Sequence, residues 1–275
     1  MKIAISGKGG TGKTTLAALL AQLFRQAGHR VFAIDADPDA NLAATLGFPQ
    51  AAGITPIVEM KELIKERMGV DDLNGVITYF KMNPQVDDLP EKYCVEHKGI
   101  RLMVMGEVRK GGGGCACPEN TFLRELLAHL LWEREDTVIV DLEAGIEHLG
   151  RGTAQAVDVL LVVVEPDLRS IETAGKIKRL ATDLGLRKVW AVGNKVGSEE
   201  EQEFIERQLA GWKIIGFLPY QREIAASAMT EGGLEVEQLA AQKEIKAVLK
   251  ALESGASAPP RAKAPGSKTL QRRFR

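Results

Sequence analysis

Cysteine is scarce in this chain: Cys94, Cys115 and Cys117 are the only three among 275 residues. So small and odd a number makes no disulfide framework and suits a reducing compartment. An excess of charge is also missing, with 36 Lys and Arg against 37 Asp and Glu for a formal net charge of -1. That balance exerts no global pull toward nucleic acid or an anionic membrane, so neither is an expected partner. Long apolar runs are absent as well. The most apolar, residues 159–164, falls far short of the about 20 apolar residues that cross a bilayer as a helix. No basic n-region or apolar h-region precedes Lys2-Ile3-Ala4-Ile5-Ser6. These absences lead to the expectation of a soluble, cytoplasmic protein.

What is present is a regular alternation. Short β-branched apolar runs at 2–6, 31–34, 101–105, 137–140, 159–164, 189–192 and 213–217 read as strands. Helical patterns fall between or after them at 13–27, 119–133, 171–184, 199–209 and 234–252. Strands that are apolar throughout are buried on both faces. The expected fold class is therefore α/β, one domain over residues 1–254 with a mainly parallel central sheet flanked by helices. Residues 48–100 interrupt the pattern with one helix-like stretch, 58–68, and a polar passage through Asn83-Pro84 and Leu89-Pro90. They read as an irregular insertion. Residues 255–275 are rich in Gly, Ala, Ser and Pro and carry six basic residues with no acidic one. Such a tail buries too little apolar area to fold and is expected to be disordered.

Gly7-Lys8-Gly9-Gly10-Thr11-Gly12-Lys13-Thr14 fits G-x-x-x-x-G-K-[ST] and lies between a strand and a helix, as that phosphate loop requires. Glycines let successive backbone N–H groups turn inward as an anion nest, reinforced by the positive end of the following helix. Lys13 is expected to reach the β- and γ-phosphates of a nucleotide, the Thr14 hydroxyl to coordinate Mg²⁺, and Thr15 to bond the α-phosphate.

A lysine directly after the first glycine, in K-G-G-x-G-K-T-T, resembles the deviant Walker A family of MinD, ParA, the arsenite-pump ATPases and the nitrogenase iron protein. The resemblance implies an ATPase that works as a homodimer, with Lys8 reaching across to the partner's bound phosphates. It also implies roles for the acidic positions. Asp37, in Asp35-Ala36-Asp37-Pro38-Asp39, would position or activate the attacking water, with Asp39 and Asn41 in the same switch. Asp141, after the apolar run 137–140, would hold Mg²⁺ through water, and Leu142 to Glu147 resembles the second switch. Asn194-Lys195 matches the start of the GTPase motif N-K-x-D, but Gly197 stands where the guanine-reading Asp would be. Asn194 can still bond adenine, which favours ATP and ADP. Pro219 stands where the family often packs the purine.

Cys115 and Cys117 flank a single residue after four glycines. Two thiolates so placed grip one soft metal ion but supply half of a four-ligand site. A two-fold dimer supplies the rest, because an isologous interface presents the same loop twice. Cys94 with His97 is a weaker candidate for a second site. Together the phosphate loop, this C-x-C, and Asp141 through His148-Leu149 and Arg151-Gly152-Thr153-Ala154 resemble the CooC-type CO dehydrogenase maturation ATPases. That resemblance implies Ni²⁺ or Zn²⁺ held between subunits, and nickel delivery to apo CO dehydrogenase or acetyl-CoA synthase. Two rival readings remain at this point. One is an iron–sulfur electron-transfer ATPase like the nitrogenase iron protein, although His148 stands where that family has a cluster-ligating Cys. The other is a ParA- or MinD-type positioning ATPase, which leaves the C-x-C unexplained.

Overall fold

The structure, a computed structural model, describes residues 1–73, 79–106, 117–146, 149–227 and 232–255. Eight strands form a single sheet: β1 (Lys2–Gly7), β2 (Val31–Ala36), β3 (Val95–His97), β4 (Ile100–Val104), β5 (Thr137–Leu142), β6 (Val159–Val164), β7 (Val189–Gly193) and β8 (Lys213–Phe217). Their spatial order is β3-β4-β2-β5-β1-β6-β7-β8. All pairings are parallel except that of β3 with β4 at the edge. Every residue of β1, β2, β5 and β6 is buried, which explains why these segments are apolar without alternation.

The first helices in the chain are α1 (Lys13–Gln26), α2 (Leu42–Thr45), α3 (Lys61–Met68), α4 (Leu89–Tyr93) and α5 (Pro118–Trp132). They are followed by α6 (Arg151–Ala154), α7 (Leu168–Asp183), α8 (Glu199–Gln208), α9 (Arg222–Ser227) and α10 (Gln242–Gly255). Two apolar layers result. One face of the sheet packs Phe32, Ile34, Val138 and Val140 against Phe122 and Leu126 of α5, Ile177 of α7 and Ile205 of α8. The other packs Ile3, Ile5, Ala33 and Ile139 against Leu16 and Leu20 of α1 and Val248 of α10.

The seven expected strands are all present, and the α/β architecture is the one read from the sequence. Three details differ. β3 was not expected, because three residues with a central Glu carry too little pattern. Its pairing is set by the Lys98-Gly99 turn, where both residues have positive φ (48° and 73°), as a tight hairpin needs. The helix expected over 234–252 starts at Gln242 instead. Upstream, the buried amide of Gln22 donates to the Leu234 carbonyl and accepts the Val236 N–H, while Leu234 N–H bonds the Thr45 carbonyl. Those bonds tie the segment to α1 and α2, and only a 3-10 turn at Val236–Gln238 forms before α10. The helix expected over 58–68 begins at Lys61, after a 3-10 turn at Ile57–Glu59. Within the stretch read as an insertion, Ile57, Val58, Ile64, Met68 and Leu89 join the α5-side core. Among the described residues no helix is long and apolar enough to cross a membrane.

Phe122 is fully buried at the centre of the α5 layer. Phe122→Ala should therefore cost about 3–5 kcal/mol of unfolding free energy. Urea denaturation measures it, and a loss below about 1 kcal/mol would count against this packing.

Candidate functional site

Ligands of open α/β sheets bind beyond the carboxyl ends of the strands, where the chain switches direction between neighbours. Here that point lies around β1, which has β5 on one side and β6 on the other. β1 ends at Gly7, where a Cβ would lie 2.4 Å from the Val163 carbonyl of β6. The loop then turns back on itself, with Thr11 Oγ1 donating to the Lys8 carbonyl at 2.8 Å. Gly10 and Gly12 take φ of 82° and 91°, which side chains rarely adopt. At Gly12 an added Cβ would also sit 2.4 Å from the Asn194 amide nitrogen. Lys13 then opens α1, so its N-terminus points into the loop. Beside it is a cleft of about 410 Å³ lined by Gly9, Lys13, Thr14, Asp37, Asp39 and Glu143, among others.

Register brings the acids to this cleft. Asp35 and Asp141 are direct partners across β2 and β5, and Ile5 of β1 is opposite Asp141. Asp141 is therefore inside β5 rather than just beyond it. Both carboxyls are fully buried. Burial pushes Asp141 up to about 7, with the Asp35 and Asp37 charges adding to it and the Thr14 hydroxyl and Lys13 opposing. Burial likewise raises Asp35 to about 6, against the backbone N–H groups of Leu42 and Asp37 that it accepts. Among the described residues no hydrogen bond satisfies either oxygen of Asp141, and the Thr14 hydroxyl lies close enough to oppose the rise in its pKa. A buried carboxylate with no donor, next to a threonine hydroxyl, is a donor set that a hard cation completes, so the residues present fit Mg²⁺. The Asp37 carboxylate lies 4.0 Å from Lys13 Nζ.

On the far side of the loop, Asn194 follows β7, and its Nδ2 donates to the Thr11 carbonyl at 2.7 Å. Its amide is thus partly committed to the loop itself. Lys195 takes a left-handed φ of 58°, bonds the Gly10 carbonyl at 2.7 Å and pairs with Glu165 at 2.5 Å. Thr15, Asn194 and Pro219 line a small apolar recess with Leu16, Leu218 and Ile224. Lys8 is paired within its own chain, its ammonium 3.4 Å from Asp167, which also caps α7 through the Ser170 N–H.

Several of these groups escaped the sequence reading. Asp35 was overshadowed by Asp37 two positions on, although its place at the end of an apolar run was a signal. Ser6, whose hydroxyl is within reach of the Glu143 and Gly145 carbonyls at 3.1 and 2.8 Å, had no motif to mark it. Asp167 pairs with a residue 159 positions away, which no local pattern reveals.

The metal expectations are only partly in view. Cys115, Glu147, His148 and the tail from 256 onward lie outside the described residues. Cys117 caps α5, its Sγ accepting the Asn120 N–H at 3.5 Å, and burial pushes its thiol pKa up. Burial also raises the Cys94 thiol, and the His97 ring packs on Phe48 at 5.3 Å. Among the described residues no three His, Cys, Asp or Glu side chains gather as a metal site.

A glycine-rich loop on a helix N-terminus, facing two strand-end aspartates, defines a P-loop nucleotide-binding protein. The chain belongs to the CobQ/CobB/MinD/ParA nucleotide-binding domain family, whose model matches residues 2–233. Within that family it is a CooC-type ATPase. It is 46% identical to the carbon monoxide dehydrogenase accessory protein CooC of Rhodospirillum rubrum, over 82% of this chain and 86% of that protein. An uncharacterized ATP-binding protein of Methanocaldococcus jannaschii is 41% identical over 90% of this chain and 96% of its own length. The fold matches the Aquifex aeolicus MinC:MinD cell division complex with a TM-score of 0.66 at 22% identity, covering 95% of this chain and 98% of that one.

Two outcomes follow from this geometry. Gly12→Ala combines a disfavoured φ with a clash against Asn194 and should weaken ATP and ADP binding at least tenfold by calorimetry; unchanged affinity would refute the packing. The second concerns pH. Asp35 and Asp141 titrate well above the ordinary 3.8, so between about pH 4 and 7 the folded chain binds more protons than the unfolded one. In magnesium-free buffer the unfolding free energy should therefore fall as pH rises through that window. Asp141→Asn, with no proton to lose, should flatten the fall when denaturation is compared at pH 5 and pH 8; an equal slope would contradict the burial of this charge.

Proposed function

We propose that this ATPase is a metallochaperone that works as a homodimer and helps to insert nickel into CO dehydrogenase or acetyl-CoA synthase. The name and 46% identity of the Rhodospirillum rubrum relative support that client class. The observation that carries the metal reading is the position of Cys117. It is the residue from which α5 starts, and the far end of α5 touches the chain beyond Asp141, with Trp132 Nε1 donating to the Gly152 carbonyl at 3.2 Å. A single helix thus joins Cys117 to the segment that follows Asp141.

In this reading the loop N–H groups of residues 9–14 and the Lys13 ammonium neutralise the β- and γ-phosphates, while Thr15 bonds the α-phosphate. Thr14 and Asp141 would hold Mg²⁺, which would supply positive charge to the phosphate oxygens. Asp37 orients the water whose oxygen bonds the γ-phosphorus as the bond to the β–γ bridging oxygen breaks. ADP leaves with that electron pair. Lys8 gives up Asp167 and crosses to the partner's phosphates, where it stabilises the transferring group much as an arginine finger does. Asn194, its Nδ2 occupied by Thr11, offers Oδ1 to the adenine amino group, with Lys195 and Pro219 beside the base.

The cargo is the metal ion. Cys115 and Cys117 from each subunit supply four thiolates, which suit Ni²⁺ or Zn²⁺. Loss of the γ-phosphate shifts the chain after Asp141, α5 carries the shift to Cys117, and the metal passes to the client.

The test is metal content and native mass of the wild type and of Cys115→Ser/Cys117→Ser, each with and without ATP. The wild-type dimer should hold one Ni²⁺ or Zn²⁺ that the double variant lacks, while both bind ATP. Equal metal per dimer in the two proteins would overturn the shared-thiolate reading.

A further inference from the structure

Asp35 is fully buried beneath the phosphate cleft. It is the last residue of β2 before the loop that carries Asp37, Asp39 and Asn41, apart from Ala36. Its two oxygens divide their work. Oδ2 accepts the Leu42 N–H at 2.8 Å and Oδ1 the Asp37 N–H at 3.2 Å. One carboxylate therefore holds both ends of the loop 37–41 and also satisfies an orphan amide at the first turn of α2. On the apolar side the same loop is anchored by the buried Leu42 and Leu46. The main chain of Asp35 is equally committed, since its carbonyl accepts the Met105 N–H at 2.8 Å where the chain leaves β4. With the loop so clasped, the Asp37 carboxylate comes to 4.0 Å from Lys13 Nζ on the opposite wall of the cleft.

A buried acid beside a second buried acid is costly, and β2 would be served there by another aliphatic residue if packing alone mattered. An uncharged side chain could not accept both amides: Asn has one acceptor oxygen and would turn an NH₂ toward the other N–H. We infer that Asp35 is a positioning residue for ATP hydrolysis, a clasp whose two acceptor oxygens set where the loop presents Asp37 to the γ-phosphate. It is fully buried and does not line the cleft, so it acts through the loop. The inference rests on the reading of Asp37 as the group that orients the attacking water.

The test compares Asp35→Asn and Asp37→Asn with the wild type in steady-state ATP hydrolysis, with kcat expressed per site counted by ADP titration. Asp35→Asn should lower kcat at least tenfold with KM for ATP within about threefold, because the phosphate loop itself is untouched. Amide exchange at residues 37–42 should quicken in the same variant, while exchange in β1 and α1 stays as in the wild type. A purely structural role would lower the melting temperature and the number of binding sites but leave kcat per site and KM unchanged. If Asp35→Asn does not fold, Asp35→Ser, smaller and uncharged, carries the same expectation. Loss of activity in Asp37→Asn with wild-type kcat in the Asp35 variant overturns this inference alone. Full activity in Asp37→Asn sinks the reading of Asp37 and this inference with it.

Discussion

Two buried carboxylates side by side in a largely apolar sheet are the feature that the rest of the site must accommodate. Asp35 and Asp141 face each other across β2 and β5, and among the described residues neither forms an ion pair. In a medium of low polarity two such charges repel strongly and lose their hydration, so their ordinary ionised form is disfavoured. The surroundings answer this in two ways. Asp35 is given backbone N–H groups to accept, and Lys13 supplies a positive charge at the head of α1. Among the described residues no hydrogen bond satisfies the two oxygens of Asp141, a demand that a bound cation would meet. Thr14 and the anion nest line the same cleft with Asp141 buried behind it, an arrangement that suits a nucleotide with its metal ion.

From that pair the loops around the phosphate cleft can be traced as physical attachments. The loop after β2 is clasped by Asp35, and the loop after β5 lies under the Ser6 hydroxyl of β1. β1 itself runs directly into the phosphate loop, so all three segments hang from neighbouring strand ends. α5 extends the reach of the site away from the nucleotide. It starts at Cys117 and is bonded near its end to Gly152, so the proposed metal function and the ATPase share one rigid element.

Much of this was legible in the chain. The phosphate loop carried its own context, strand before and helix after, and the glycines at 7, 10 and 12 are positions where the backbone or the space beside it tolerates nothing larger. The central strands β1, β2, β5 and β6 showed because a strand buried on both faces is apolar almost throughout, and β4, β7 and β8 showed as short apolar runs beside them. β3 did not show, since a three-residue edge strand with Glu96 at its centre has no such requirement. The start of α10 was misplaced because Leu234 and Val236 fit a helical period but are tied down by Gln22, a partner 212 to 214 residues distant in sequence, and only a 3-10 turn at Val236–Gln238 forms there. Asp35 was visible as a residue and invisible as a clasp, because its importance lies in which amides it meets.

The sequence by itself determined the class of protein, through a motif whose residues are neighbours in the chain and whose chemistry depends on local backbone conformation. It also placed an aspartate at the end of each of two apolar runs. Only the tertiary structure decided that these two aspartates stand in register. A shift of one residue between β2 and β5 would turn Asp141 to the opposite face, away from Thr14 and Lys13. Register depends on the packing of both layers over the whole sheet, and that information is spread across residues more than a hundred positions apart.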